Sequence, residues 1–181
     1  MRTQTVTTNI YTYDELSAAA KSNARDWYRA VDSGDTWSED YRQSLAGFVD
    51  LIPYETRTDF EVAAFAYSYC KIDTDLPEDV QGLTGVRAWK WFQNNGFFDD
   101  KMLSGSCPFT GYCADEDLLD PIRKFRDDPD TGLSLIDVLN LCVSAWVSAW
   151  VADLEHQASD EGVEETILCN DYEFTGTGDI A

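Results

Sequence analysis

The last 55 residues of this 181-residue sequence lack basic side chains altogether. Residues 127–181 contain no Lys and no Arg, although the full chain has 13 basic and 34 acidic residues. The formal net charge is −21, and 13 of the acidic residues lie in this base-free segment. Because such a chain is repelled by nucleic acid and by anionic membrane surfaces, the sequence predicts no direct nucleic-acid binding and no membrane association. It predicts instead a partner with a basic surface.

Other features that the sequence lacks argue against further classes of protein. The sequence has no apolar run of 18 residues, which argues against a membrane span. Its first residues lack the apolar core of a signal peptide, which predicts an intracellular protein. No Gly-rich loop precedes a Lys-Ser or Lys-Thr pair, so the sequence has no phosphate-binding loop. The five cysteines are scattered and odd in number, which favours reduced, buried thiols over a disulfide framework.

Histidine is almost absent, since His156 is the only one in the chain. It has acidic neighbours and no Ser or Cys motif close by, so we expect a surface histidine rather than a catalytic base. Cys107, Cys113 and His156 fit no zinc-ligand spacing. Residues 127–132 form an acidic turn, but the Gly and Glu of a calcium loop are not in register. The sequence therefore predicts no catalytic residue, no metal, no cofactor and no enzymatic activity.

Helical periodicity is the strongest pattern that is present, and it is clearest over residues 133–157. The apolar positions of this stretch recur in steps of three and four, at Leu135, Leu139, Cys142, Trp146, Trp150 and Leu154. A step of four residues turns only about 40° around a helix, so the two indoles share one face. Ser134 and Asp137 have the spacing of a capping box at the start. These features predict a core helix with a buried Trp face.

The remaining elements follow from shorter patterns. A capping box at Thr12 and Glu15 predicts a helix to about Ser33, and Pro53 ends a second apolar stripe. Asp115, Glu116 and Asp117 suit a helix N-terminus, where acidic side chains are favourable, and because Pro121 fits only a first turn the start of this helix is predicted between Asp115 and Asp120. The predicted helices therefore cover residues 13–33, 37–52, 84–93, about 115–126, 133–157 and 160–169. The predicted strands cover residues 5–13, 60–72 and 172–175, although the Ala-rich composition of residues 60–72 also suits a helix.

Strands and helices do not alternate regularly along the chain, which predicts the α+β class rather than a doubly wound α/β fold. The 24 aromatic residues and 44% hydrophobic content are enough for one sizeable core. We therefore expect a single globular domain over residues 1–181, with several helices packed on a small, mainly antiparallel sheet.

Several segments resemble a family of small accessory proteins of tailed bacteriophages. Ile10-Tyr-Thr-Tyr-Asp-Glu-Leu16, running into Ala24-Arg-Asp-Trp-Tyr-Arg29, is similar to the opening of that family. Three further segments resemble its C-terminal half: Cys107-Pro-Phe-Thr-Gly-Tyr-Cys-Ala-Asp-Glu-Asp117, Asp120-Pro-Ile-Arg123 and Tyr172-Glu-Phe-Thr175. The family is commonly labelled "antitoxin of toxin–antitoxin stability system". The resemblance implies phage origin, expression in the host cytoplasm and a non-enzymatic binding role.

Phage origin and acidity together predict an inhibitor of a host defence system, of the anti-CRISPR or anti-restriction type. Such an inhibitor would occupy a basic nucleic-acid-binding surface as a DNA mimic. The predicted contact residues lie on the 133–157 helix and its continuation: Asp153, Glu155, Asp160, Glu161, Glu164 and Glu165. The alternative is an antitoxin that neutralises a cognate toxin by direct protein–protein contact. A face that is merely solvated would have the same charge pattern.

Overall fold

A computed structural model of the chain describes residues 9–31, 38–97 and 107–181. In this part of the chain the helices are α1 (Ala18–Val31), α2 (Ser38–Val49), α3 (Glu78–Gln81), α4 (Gly85–Asn94), α5 (Ala114–Asp127), α6 (Leu135–Ala158) and α7 (Asp160–Cys169). The strands are β1 (Tyr11–Thr12), β2 (Thr56–Glu61), β3 (Tyr69–Thr74) and β4 (Glu173–Phe174). β1 pairs with β4 and β2 pairs with β3, both antiparallel. The α+β class is therefore confirmed, with two separate small sheets.

Contacts within the chain divide it into two compact units. Unit 1 consists of Met1–Asp35 and Leu154–Ala181, and unit 2 consists of Thr36–Asp153. The boundary falls inside α6, so this one helix contributes to both units. The existence of a single globular domain over residues 1–181 stays a prediction.

Unit 1 is built from α1, α7 and the β1–β4 pair. Its core is formed by Tyr13, Leu16, Ala20, Ala24, Val163, Ile167 and Phe174. The predicted capping box is confirmed, since the Thr12 backbone N–H donates to Glu15 Oε2 at 2.9 Å. It opens a 3₁₀ turn over Tyr13–Glu15, however, and α1 begins only at Ala18. The predicted helix start was wrong because Leu16 adopts an extended backbone between the two.

The junction of α6 and α7 depends on a cap and a glycine. Ser159 Oγ donates to the His156 carbonyl at 2.6 Å and accepts the Gly162 backbone N–H at 3.1 Å. It therefore satisfies one helix end and starts the next. A Cβ atom on Gly162 would lie 2.2 Å from the His156 carbonyl oxygen, so this close approach requires glycine.

Unit 2 is organised around the apolar face of α6. Trp146 is fully buried and donates from Nε1 to the Tyr41 carbonyl of α2 at 2.9 Å. Trp150 stacks on the Tyr41 ring with centroids 5.3 Å apart. Phe60 of β2 packs its ring edge-to-face with Trp146 at 5.3 Å. The Ser134–Asp137 capping box is also present, and the predicted core helix is confirmed.

Among the described residues, α6 is also the one helix long and apolar enough to cross a membrane. Core helices of globular proteins meet the same criterion. Eight residues of α6 are buried inside the protein: Leu135, Val138, Leu139, Cys142, Val143, Trp146, Val147 and Trp150. The absence of a membrane span stays a prediction.

Two of the element predictions were wrong. Residues 60–72 form no single strand, because Phe65 has a left-handed backbone (φ 57°) and the loop between β2 and β3 is closed by Ser68. Pro121 lies inside α5 rather than in its first turn. Its ring removes one helical hydrogen bond, but the preceding turns are held by the buried side chains of Leu118 and Leu119.

Smaller differences concern the ends of elements. α2 ends at Val49, before Pro53, and the N-terminal strand includes only Tyr11–Thr12 within the described residues. The predicted helices at 84–93 and 160–169 and the terminal strand are confirmed to within a few residues. Predictions for residues 1–8, 32–37 and 98–106 lie outside the described part of the chain.

The two α6 indoles provide a matched test of this core. Trp146→Phe removes the hydrogen bond to the Tyr41 carbonyl, whereas Trp150 Nε1 has no hydrogen-bond partner among the described residues. Both variants lose indole packing, so we expect Trp146→Phe to be less stable than Trp150→Phe by about 1 kcal/mol. Urea unfolding monitored by circular dichroism measures this difference. Equal losses would mean that the hydrogen bond makes no net contribution.

Candidate partner-binding site

The acidic side chains of α7 are largely paired within unit 1. Arg25 on α1 places Nη1 2.6 Å from Glu164 Oε1 and Nη2 3.3 Å from Asp160 Oδ2. Arg29 Nη2 lies 2.5 Å from Asp160 Oδ1, and the Arg29 hydrogen bond lowers the pKa of Asp160. The Tyr13 hydroxyl also donates to Glu164, at 2.8 Å. These contacts attach α7 to α1 and neutralise part of the predicted contact surface.

The other predicted contact residues are divided between the two units. Glu165 Oε2 lies 3.2 Å from His156 Nε2, Glu161 is exposed on α7, and Glu155 is half-buried near the end of α6. Asp153 belongs to unit 2, where it accepts a hydrogen bond from the Tyr41 hydroxyl. The six residues named from the sequence therefore do not form one group of unpaired carboxylates.

The pairing of Glu164 can be tested against its exposed neighbour on the same helix. Arg25 is only 17% exposed, so its contact with Glu164 is better shielded from water than a surface ion pair. We expect Glu164→Gln to lose about 1 kcal/mol of stability, because a charge-assisted hydrogen bond is weakened. Glu161→Gln should change stability little. If urea unfolding gives the two variants the same stability, the Arg25 contact does not hold α7.

A cavity in unit 2 has Asp153 in its lining. We call it the Tyr41 pocket. It has a volume of about 180 Å³ and is lined by Asp40, Tyr41, Tyr112, Cys113, Ala114 and Asp153. Asp40 and Tyr41 belong to α2, and Asp153 belongs to α6. The other three residues lie at the start of α5: Tyr112, Cys113 and Ala114. Three helices that are distant in the sequence therefore bring two carboxylates and two tyrosines to one cavity.

The wall of the Tyr41 pocket at the start of α5 is held by a buried carboxylate. Asp115 is completely buried, and its Oδ2 accepts the backbone N–H groups of Phe109 and Thr110, each at 2.8 Å. Its Oδ1 accepts the Thr110 hydroxyl at 3.0 Å. These bonds fix the loop that leads into α5, and with it the positions of Tyr112 and Cys113.

Negative charge is concentrated beside this pocket. Burial raises the pKa of Asp117 to about 6, and the charges of Asp153, Glu116 and Asp120 add to the increase. Burial and the hydrogen bond to Asp153 raise the pKa of Tyr41, so its hydroxyl keeps its proton. Asp120 pairs with Lys124 at 2.6 Å. No Lys or Arg in the described ranges pairs with the other carboxylates of this group: Asp40, Glu116, Asp117 and Asp153.

This combination of groups suits a cation. Carboxylates accept charge-assisted hydrogen bonds from guanidinium and ammonium groups, and tyrosine rings attract cations to their faces. Tyr112 is 43% exposed, so its ring is accessible from the solvent. The Tyr41 pocket can therefore accept an Arg or Lys side chain of a partner.

Comparison of the chain with protein-family models, curated proteins and solved structures gave no match. The site is therefore described by its own geometry alone. Within residues 9–31, 38–97 and 107–181, no three His, Cys, Asp or Glu side chains form a group that could hold a metal ion. His156 contacts Glu165 in unit 1, whereas Cys107 and Cys113 belong to unit 2.

Sequence reasoning missed most of the Tyr41 pocket. It identified the acids at 115–117 only as favourable charges at a helix N-terminus, and it treated Tyr41 only as an apolar position. Asp153 alone was among the predicted contact residues. The available signal was the acidic run of Asp115, Glu116 and Asp117 at the start of a helix, but nothing local indicates that α2 and α6 lie next to it.

The raised pKa of Asp117 should make the free energy of unfolding depend on pH. The folded-state pKa of Asp117 lies above its ordinary value of 3.8. The folded protein therefore binds this proton more tightly, and the contribution of Asp117 to stability falls as pH rises between about 4 and 6. Asp117→Asn should gain about 1 kcal/mol at pH 7, allowing for solvent screening at a half-buried site.

The stability gained by Asp117→Asn should be smaller near pH 4, where Asp117 is already protonated in the folded protein. Urea unfolding at both pH values measures it. The control is Asp128→Asn, which removes an exposed carboxylate just after α5. A gain for Asp117→Asn that is the same at both pH values would contradict the raised pKa.

Proposed function

We propose that this chain is a phage-encoded inhibitor that binds the basic nucleic-acid-binding surface of a bacterial defence protein in place of DNA. Phage origin is taken from the resemblance of its terminal segments, and the binding mode is taken from its charge. The observation that carries the proposal is the group of carboxylates beside the Tyr41 pocket that pair with no Lys or Arg in the described part of the chain. Asp153 is the member that this group shares with the contact residues predicted from the sequence.

The net charge supports this mode of binding. A charge of −21 on 181 residues repels DNA and steers a basic protein towards the chain over distances of about one Debye length. A DNA duplex presents one negative charge for roughly every 1.7 Å of its axis. An acidic protein competes for the same Arg and Lys side chains when its carboxylates are held in fixed positions.

Ion pairing within unit 1 supports the Tyr41 pocket over α7 as the proposed contact. Asp160 and Glu164 already pair with arginines of their own unit, and a partner would have to displace those arginines. Asp40, Asp117 and Asp153 are not paired in this way. The charge of Asp153 contributes to the raised pKa of Asp117, and an incoming cation would relieve this repulsion, which adds to the affinity.

The decisive experiment compares two variants of equal charge. The pocket variant carries Asp40→Asn, Asp117→Asn and Asp153→Asn. The control variant carries Glu155→Gln, Glu161→Gln and Glu165→Gln, three residues of the original prediction. The tagged parent protein is used to capture a host nucleic-acid-binding protein. Displacement of a fluorescent DNA duplex from that purified protein is then measured by anisotropy.

We expect the parent to displace DNA and the pocket variant to be at least about tenfold weaker, mainly through slower association. The control variant removes as many charges as the pocket variant, so it changes the overall electrostatic field equally. Its three residues lie outside the pocket, so displacement by it should remain within about threefold of the parent. Displacement should weaken between roughly 50 and 200 mM salt. Capture of a toxin that has no nucleic-acid-binding activity would favour the antitoxin alternative. Equal displacement by both variants would show that the Tyr41 pocket is not the contact.

A further inference from the structure

A second cavity of unit 2 differs from the Tyr41 pocket because no Asp or Glu is among the described residues that line it. It has a volume of about 370 Å³ and lies between α5, the segment before α6, and α6 itself. Its mainly apolar lining includes Pro121, Phe125, Leu133, Leu141, Ala145 and Ser148. We call it the α5–α6 groove. Its size falls in the range of roughly 300–1,000 Å³ that is typical of binding pockets.

The polar groups on the floor of this groove are already satisfied. Ser144 Oγ donates to the Asn140 carbonyl at 2.8 Å, and Ser148 Oγ donates to the Ser144 carbonyl at 2.9 Å. Both hydroxyls are therefore bound to their own helix, and the floor presents mostly carbon atoms. Leu141, at 44% exposure, is one of the large apolar side chains of the chain that remain in contact with solvent.

The segments that form the groove also carry exposed carboxylates. Asp120 is adjacent to Pro121, and Asp130 is adjacent to Thr131, which also lines the groove. Asp137 lies one helical turn before Leu141, and its pKa is lowered by hydrogen bonds from Ser134, so it stays ionised. The basic residue of the lining is Lys124, and it pairs with Asp120. The groove thus has a mainly apolar lining, and the segments that form it carry three exposed carboxylates just outside that lining, which we call its acidic rim: Asp120, Asp130 and Asp137.

We infer that the α5–α6 groove receives the apolar face of a basic amphipathic helix of the partner protein. This inference rests on the proposed function and adds the kind of element that the partner inserts. Helix-in-groove recognition matches an apolar stripe to an apolar floor. The Lys and Arg side chains beside that stripe then meet the acidic rim, including Asp130 and Asp137.

Charge complementarity favours a basic helix in the α5–α6 groove over a second copy of the chain or a membrane surface. A second copy of the chain would bring an equally acidic rim against this one, and like charges oppose such contact. A membrane surface would present anionic headgroups, which the rim also repels. A basic helix satisfies both the floor and the rim.

The probe is a designed peptide of about 18 residues that places Leu at helical spacing on one face and Lys and Arg elsewhere. A second peptide has the same composition with the Leu positions scrambled, so it has the same charge and no apolar face. Binding of both to the full chain is measured by fluorescence anisotropy. We expect the amphipathic peptide to bind at least about tenfold more tightly than the scrambled one. Equal binding would overturn the inference.

Two matched variants then locate the contact. Leu141→Ala should weaken binding of the amphipathic peptide by about tenfold. Leu168→Ala, which truncates an equally exposed leucine (43%) on α7, should leave binding unchanged. If Leu141→Ala binds like the parent, the groove is not the site.

The charge requirement is tested separately with Asp130→Asn/Asp137→Asn, which should weaken peptide binding and reduce its salt dependence. No effect of this pair would overturn the basic character of the occupant. The proposed function is tested by a different experiment, the DNA-displacement comparison of the pocket and control variants. Loss of displacement in the pocket variant but not in Leu141→Ala would retain the proposed function and reject the groove.

Discussion

The burial of two indoles on one helix is the interaction on which unit 2 depends. Trp146 and Trp150 lie on the same face of α6, and both contact Tyr41 of α2. Trp146 donates a hydrogen bond to the Tyr41 backbone carbonyl, while Trp150 stacks on the Tyr41 ring. These contacts fix the direction in which the Tyr41 hydroxyl points, towards Asp153. Apolar packing therefore positions the polar group at the centre of the candidate site, and a rigid position favours binding because less entropy is lost.

The distribution of charge gives the two units different properties. In unit 1 the carboxylates of α7 stabilise the fold through Arg25 and Arg29, which lie on the facing side of α1. In unit 2 burial raises the pKa of Asp117, and the neighbouring carboxylates Asp153, Glu116 and Asp120 add to the increase. Such crowding disfavours the compact state. A cationic partner would reverse this effect, which is why the crowding supports a binding role.

The Tyr41 pocket and the α5–α6 groove would offer the proposed partner two different kinds of interaction. Charged contacts mainly increase the rate of association and depend on salt. Apolar contacts in a groove mainly slow dissociation, which is where most affinity differences between related complexes arise. α5 and α6 contribute to both cavities, so the same two helices would present a charged contact and an apolar one.

The sequence by itself determined the core helix, the capping boxes at Thr12 and Ser134, the acidic surplus and the α+β class, because periodicity, cap spacing and composition are local or additive properties. It could not determine that α1 supplies arginines to α7, or that β2 and β3 form a hairpin within an apolar run. It also could not show that Asp40 and Asp153 line one pocket, with Asp117 close enough to Asp153 to feel its charge. Those features depend on which helix faces pack together, and this is decided by the burial of side chains distant in the sequence, such as Tyr41 and Trp150. Only the tertiary structure therefore separates the carboxylates that hold the fold from those that are available to a partner.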